Sequence, residues 1–337
     1  MYKYLKVKQV GTSLWAEVFN PPMNFMTTKM MAELYQVVRK AEKDDSIRVF
    51  ILTGGVENNY IAHFDIPELH QLSLELMKMN KMRLKLAVPA LKLLDWLMDR
   101  GPNTEERLLN RLMKSKDLSI KLAILMRRLY NAIERMSKIT IAAINGPCNG
   151  GGTEISYCFD FRFMVGDQGF TVGQPEVLVG IIAGGGGTQR LPRLVGKAKA
   201  IEIMLRGNQL STDEAKSLGL ITDAFNKSEF ARKVQEFADL MAKRAPIAVD
   251  ACKRSVHFGD SAILQEGLWF ELGRSTRLFT TRDAREGLHD YAEFIRQNLA
   301  SLGELGGGEM DAGAVSQFTG AVTRMLQNSE LTTFKGE

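Results

Sequence analysis

Residues 141–219 constrain this 337-residue chain more than any other stretch. They open IAAINGPCNGGGTEISYCFDFRF, continue through FTVGQPEVLVGIIAGGGGTQRLPRLVG and close on KAKAIEIMLRGNQLSTDEAKSLG. Residues 139–144 and 161–165 are short apolar runs that suit buried strands. Between them, glycines 150–152 break the chain, and a helix over about 152–159 follows. Strand, turn, helix and strand in so few residues predict layered α/β packing.

The first 70 residues follow the same alternation. Residues 6–19 alternate around Gly11-Thr12 and predict a hairpin, ended by Pro21-Pro22. Thr27 or Thr28 can cap a helix running to about Lys43, with Met30, Met31, Leu34, Val37 and Val38 on one side. Residues 49–52 form a buried strand stopped by Gly54-Gly55.

Residues 69–137 differ in kind, being rich in Leu, Met and Lys at helical spacing. Pro89 suits the first turn of a second helix there. Gly101-Pro102 is a turn, and Asn103 with Glu106 forms a capping box for a third helix. A fourth runs over about 119–136, with Leu122, Leu125, Leu129 and Ile133 on one stripe. The chain thus divides into an α/β core (1–68 and 138–225), a helical insertion with one helix of the parent fold (69–137), a helical C-terminal region (226–300), and a glycine-rich joint at 306–308 with a tail (301–337).

Composition narrows the class. Apolar residues make up 45% and charged residues 25%, as in a globular protein. Three cysteines at non-ligating spacing exclude a disulfide framework and point to a reducing, cytoplasmic setting. No signal peptide or spanning run is visible. The net charge is +5, yet residues 71–130 alone hold 13 Lys and Arg against 6 Asp and Glu. That local excess argues against a nucleic-acid binder.

Two glutamates carry the chemistry. Glu154 follows the triple glycine, and Glu176 follows Gly173-Gln174-Pro175. Taken singly, each is ordinary: a tight turn before a helix, a proline at a helix start, an acid in a first turn. His63, His70, His257 and His289 make no metal spacing, and no phosphate loop or serine-hydrolase elbow is present. Taken together, two aimed carboxylates beside free helix-start N–H groups suit general acid/base chemistry with oxyanion stabilisation.

These motifs resemble the crotonase superfamily, the enoyl-CoA hydratases and isomerases. The resemblance rests on IAAINGPCNGGGTE, GQPEVLVGI and GGGGTQRLPRLVGKAKA, supported by NPPMN at 20–24, IAHFDI at 61–66, LSTDEA at 210–215 and AREG at 284–287. It implies an α/β fold built as a ββα spiral, with C-terminal helices that assemble a homotrimer or hexamer. It also implies an acyl-CoA substrate and no metal or redox cofactor. On this resemblance the oxyanion hole falls on the backbone N–H groups of Ala62 and Gly151, and Glu154 and Glu176 are the catalytic pair. Met23, Ala62, Asp65, Ile66 and Gly150 would line the CoA site.

The expected activity is hydration of 2-enoyl-CoA. One alternative is a Δ3,Δ2-enoyl-CoA isomerase relying on Glu176. Another is a crotonase-fold enzyme or binding protein whose His63-Phe64 loop and basic insertion serve an acidic partner such as an acyl carrier protein. The insertion reads as extra packing, as a lid, or as a dock for an acidic protein or a membrane surface.

Overall fold

The computed structural model describes residues 2–303, 312–328 and 332–337. The expected glycine joint at 306–308 lies outside the described residues. The chain divides into two units, 1–134 with 140–234, and 135–139 with 235–337.

In the first unit, β1 (Leu5–Val10) and β2 (Ser13–Val18) form the antiparallel hairpin expected around Gly11. Helix α1 (Thr28–Lys43) begins where Thr27 accepts the Met30 N–H, and it buries the expected Met30, Met31, Leu34, Val37 and Val38. Strand β3 (Val49–Gly54) runs parallel to β2 and is buried at every position. Such a run without polar alternation is what a strand covered on both faces requires.

Four helices then follow without a strand: α2 (Ile66–Met77), α3 (Lys81–Met98), α4 (Pro102–Lys114) and α5 (Leu118–Glu134). Two local expectations fail here. Pro89 lies inside α3 rather than at a helix start. It sits on the exposed side of the helix, so its missing N–H frees a solvent-side carbonyl, while Leu91, Leu94 and Met98 hold the opposite face by packing. Asn103 caps nothing, because α4 begins at Pro102 after Gly101, without a side-chain cap. Proline at the first position is already set for helix entry.

The α/β pattern returns with β4 (Ile139–Ile144), β5 (Cys148–Asn149), α6 (Gly151–Ser156) and β6 (Phe161–Val165). β4 and β6 occupy the expected residues, whereas α6 is shorter than the sequence pattern suggests. Next come β7 (Thr171–Gly173), a single 3-10 turn (Glu176–Val179), α7 (Gly187–Val195) and α8 (Lys197–Arg206). Then follow β8 (Gln209–Ser211), α9 (Thr212–Ser217) and β9 (Asp223–Phe225). The strands make a six-stranded sheet, β1-β2-β3-β4-β6-β9, and a three-stranded one, β5-β7-β8. The chain is therefore of the α/β class expected.

One lock in the large sheet positions the site. The Asn145 side chain accepts from Gly54 N–H at 2.9 Å and donates to Gly54 O at 2.8 Å, and Thr53 Oγ1 donates to Ala143 O at 2.8 Å. The ends of β3 and β4 are thus fixed together, and the loops leaving them start side by side.

Helix α10 (Phe230–Ala242) leads into the second unit, which also holds α11 (Pro246–Gly259), α12 (Leu264–Leu278), α13 (Arg282–Gly303) and α14 (Ala312–Gln327). Phe258 of α11 stacks on Phe270 of α12 at 4.4 Å between ring centroids. The Asp283 carboxylate accepts the N–H groups of Lys335 and Gly336, tying the last residues to the start of α13.

Candidate active site

The loop after β3 and the start of α6 meet closely. Asn149 N–H donates to Ala62 O at 2.9 Å, Met26 N–H to His63 O at 2.9 Å, and Asp65 N–H to Met26 O at 2.9 Å. Residues 61–65 are thereby clamped between two neighbouring segments. Gly152 packs against that loop so tightly that a Cβ there would lie 2.1 Å from Ile61 O. Only glycine permits this approach, which brings Gly151 next to Phe64.

Two N–H groups at this junction are open or only weakly held. Gly151 is the first residue of α6, so its N–H has no acceptor within the helix. Ala62 N–H makes one long contact, 3.4 Å to Met23 O. The helix start adds positive potential, favouring an oxyanion there.

Glu154 sits in the first turn of α6, 4% exposed. Its Oε1 accepts the Gly187 N–H at 2.8 Å, from the start of α7. Burial pushes its carboxyl up to about 7, and the charge of Glu176 adds to the rise. Main-chain donation from Gly187 and Gly185 and the more distant Arg190 offset part of it. Arg190 is itself held by Glu134, with Nε and Nη2 each 2.9 Å from a carboxylate oxygen.

Glu176 opens the 3-10 turn behind Pro175 and is half-buried. Gln174, which is fully buried, turns its amide nitrogen to both Glu176 oxygens, at 2.9 and 3.0 Å. Burial raises the Glu176 carboxyl above the usual range. The carboxylate lies against Gly150, where φ is 50° and a Cβ would come within 2.9 Å of Oε1. Gly150 N–H donates to Gly173 O at 2.9 Å, which fixes α6 against the strand leading to Glu176.

The structure therefore gathers Ala62, Gly150, Gly151 and the two glutamates around one junction, with Met23 beside Ala62. Asp65 and Ile66 continue the same loop into the start of α2. The Asp65 carboxylate caps α2 by accepting Glu68 N–H at 2.9 Å, and the Ile66 side chain is exposed. Gln174 and Tyr130, by contrast, carry no sequence signal. Tyr130 of α5 is buried and donates to Gly151 O at 3.3 Å, a contact made across the fold and invisible to local pattern. Among the described residues, no group of three or more His, Cys, Asp or Glu side chains is placed to hold a metal ion.

Comparison with known proteins gives the family and the fold. Residues 108–299 match the family described as enoyl-CoA hydratase/isomerase, so the chain belongs to that enzyme family. It is similar to the short-chain-enoyl-CoA hydratase of Clostridium acetobutylicum, 28% identical over 271 residues, covering 80% of this chain and 87% of that protein. The crotonyl-CoA hydratase of Syntrophomonas wolfei is 26% identical over 279 residues, covering 83% and 90% respectively. The crystal structure of the enoyl-CoA hydratase from Bacillus anthracis superposes with a TM-score of 0.67 at 26% identity, covering 86% of this chain and 96% of that one. The crotonase fold expected from the motifs is thus the fold present.

Proposed function

We propose that this enzyme adds water across the double bond of 2-enoyl-CoA thioesters to give 3-hydroxyacyl-CoA. The observation that carries this is the Glu154–Glu176 pair. Burial raises both carboxyls, and the charge of Glu176 raises Glu154 further. Interacting carboxyls favour a state with one ionised and one protonated, which is the state hydration needs. Hydration needs one base and one acid, whereas isomerisation can proceed on a single shuttling carboxylate.

In the proposed reaction the thioester oxygen accepts from Ala62 N–H and Gly151 N–H, drawing electrons away from C3. A single preorganised donor of this kind is worth about 3–4 kcal/mol in the transition state. Ionised Glu154 takes a proton from water as its oxygen bonds to C3. Protonated Glu176 delivers a proton to C2 as the enolate collapses. The product gains the elements of water, and the pair again holds one proton. Coenzyme A enters as part of the substrate, and the scheme uses no metal or redox cofactor.

Three free cysteines, two of them buried, support a reducing cytoplasmic setting. Exposed Leu264, Leu268, Trp269 and Leu272 on α12 offer apolar surface for the homotrimer or hexamer expected from the resemblance.

The test is the loss of conjugated-enoyl absorbance with short, medium and long 2-enoyl-CoA, for wild type, Glu154→Gln and Glu176→Gln. Wild type is expected to hydrate, and each variant to lose roughly 10²–10⁴-fold in kcat. A wild type inert on every chain length sinks the proposal. Isomerisation of 3-enoyl-CoA that survives Glu154→Gln would favour the isomerase instead.

A further inference from the structure

The two faces of α3 have opposite fates. Its inner face, Leu91, Leu94 and Met98, packs with Leu112 of α4 and Ile124 of α5. Asp95 on the same helix pairs with Arg127 and Arg128 of α5, which anchors the helix. Its outer face is covered by nothing among the described residues of the chain. Met82, Leu86, Leu93 and Trp96 fall on one stripe of a 3.6-residue period and are 66%, 57%, 57% and 52% exposed. Pro89 lies on the same stripe and is exposed.

Cations flank this stripe. Lys81, Lys85 and Lys92 run along one side, and Arg83 stands on the other, all exposed. Arg100 lies over the Trp96 ring, 4.0 Å from its centroid. Residues 78–100 hold six Lys and Arg against two Asp, and one of those two, Asp95, is buried and already paired.

We propose that the outer face of α3 docks on an anionic phospholipid bilayer, with the helix lying in the plane of the surface. An 18-residue helix is about 27 Å long. An apolar row along one face with flexible cations beside it fits a membrane boundary, where the lysines reach phosphates while Leu, Met and Trp enter the acyl edge. No helix among the described residues is long and apolar enough to cross a membrane, so α3 would lie on the surface rather than span it.

The other occupants fit less well. In a two-fold contact between copies, this face would set lysine rows against lysine rows with no exposed acidic row to answer them. An acidic protein would meet the cations but has no need of a continuous apolar stripe between them. The proposal does not depend on which thioester the enzyme uses.

The test is co-sedimentation of the full-length protein with phosphatidylcholine vesicles, with and without phosphatidylserine. Binding is expected only with phosphatidylserine, and it should weaken as salt rises. Lys81→Gln, Lys85→Gln and Lys92→Gln combined should weaken it on the order of 100-fold, from roughly a factor of five per basic residue. Leu86→Glu with Leu93→Glu should abolish it, leaving oligomeric state by light scattering and hydration of a short-chain thioester unchanged. Several results overturn the proposal. They are no sedimentation with either vesicle, equal binding to both, or a change of oligomeric state in the Leu86/Leu93 variant. Capture of an acidic protein without vesicle binding also overturns it.

Discussion

Glu154 and Glu105 are both buried glutamates in the same unit, and they are treated in opposite ways. Glu105, on α4, is 8% exposed and lies among Arg39, Arg128 and the Tyr35 hydroxyl, which donates to it. Arg128 also meets Asp95 at 2.9 Å and Asp99 at 2.8 Å. Burying a charge costs several kcal/mol, and here opposite charges offset it. Glu154 is buried as deeply, yet it receives main-chain N–H groups and, among the described residues, no ion pair of its own. The arginine that could have neutralised it is held by Glu134. A buried carboxylate with countercharge ties helices together. One deprived of countercharge titrates near neutral pH, so it can take up a proton and release it again, which a general base needs.

The largest expected effect separates the two by activity. Glu154→Gln should cost roughly 10²–10⁴-fold in kcat, while Glu105→Gln should leave kcat within about tenfold, because Glu105 touches α1 and α5 rather than the junction. Steady-state hydration of one 2-enoyl-CoA by both variants measures the contrast. Equal losses would mean that the helical insertion, and not only the junction, sets the reacting geometry.

Arg128→Met sharpens the comparison on the stability side. It removes the cation that Asp95 and Glu105 share and leaves them Arg127 and Arg39, so the cost should stay below about 3–5 kcal/mol, that of a buried charge left with no partner. The loss should be local. Hydrogen exchange should speed up in α3 and α4 and remain slow in β3, β4 and β6, whose positions are almost all buried in the sheet. Uniform acceleration would show that the insertion and the sheet unfold as one body.

The same contrast governs what could be read from sequence. The junction was largely legible, because glycines at 150–152 and a proline at 175 act on their own neighbours in the chain. Strands β4 and β6 and the Thr27 cap were legible for the same local reason. Partners brought from afar were not. Tyr130 reaches Gly151 across 21 residues, and Gly187 reaches Glu154 across 33. Gln174 is only two residues from Glu176, but the aim of its amide is set by the folded turn. The three-residue strands β7 and β8 are too short to show a period. In the insertion, helical content was plain but punctuation misled. Pro89 and Asn103 carry helix-start signals that the packing of α3 and α4 overrides.

The smallest effect tests the electrostatics directly, through pH. The Glu154 carboxyl is held at about 7 in the folded chain, against 4.5 for an ordinary glutamate. Below pH 4.5 both folded and unfolded chains carry the proton, and Glu154 costs nothing. Between 4.5 and 7 the unfolded chain releases its proton first, so stability falls as pH rises. Above 7 both are ionised, and the cost levels off on the order of 3 kcal/mol. Gln at this position is never charged and escapes that cost. Glu154→Gln should therefore be more stable than wild type at pH 8 by up to about 3 kcal/mol, less what its altered bond to Gly187 N–H forfeits. The gap should close towards pH 4. Urea unfolding midpoints of both proteins across this range give the difference. A gap of constant size would mean that Glu154 titrates alike in both states, and that its burial beside Glu176 does not tune it for proton transfer near neutral pH.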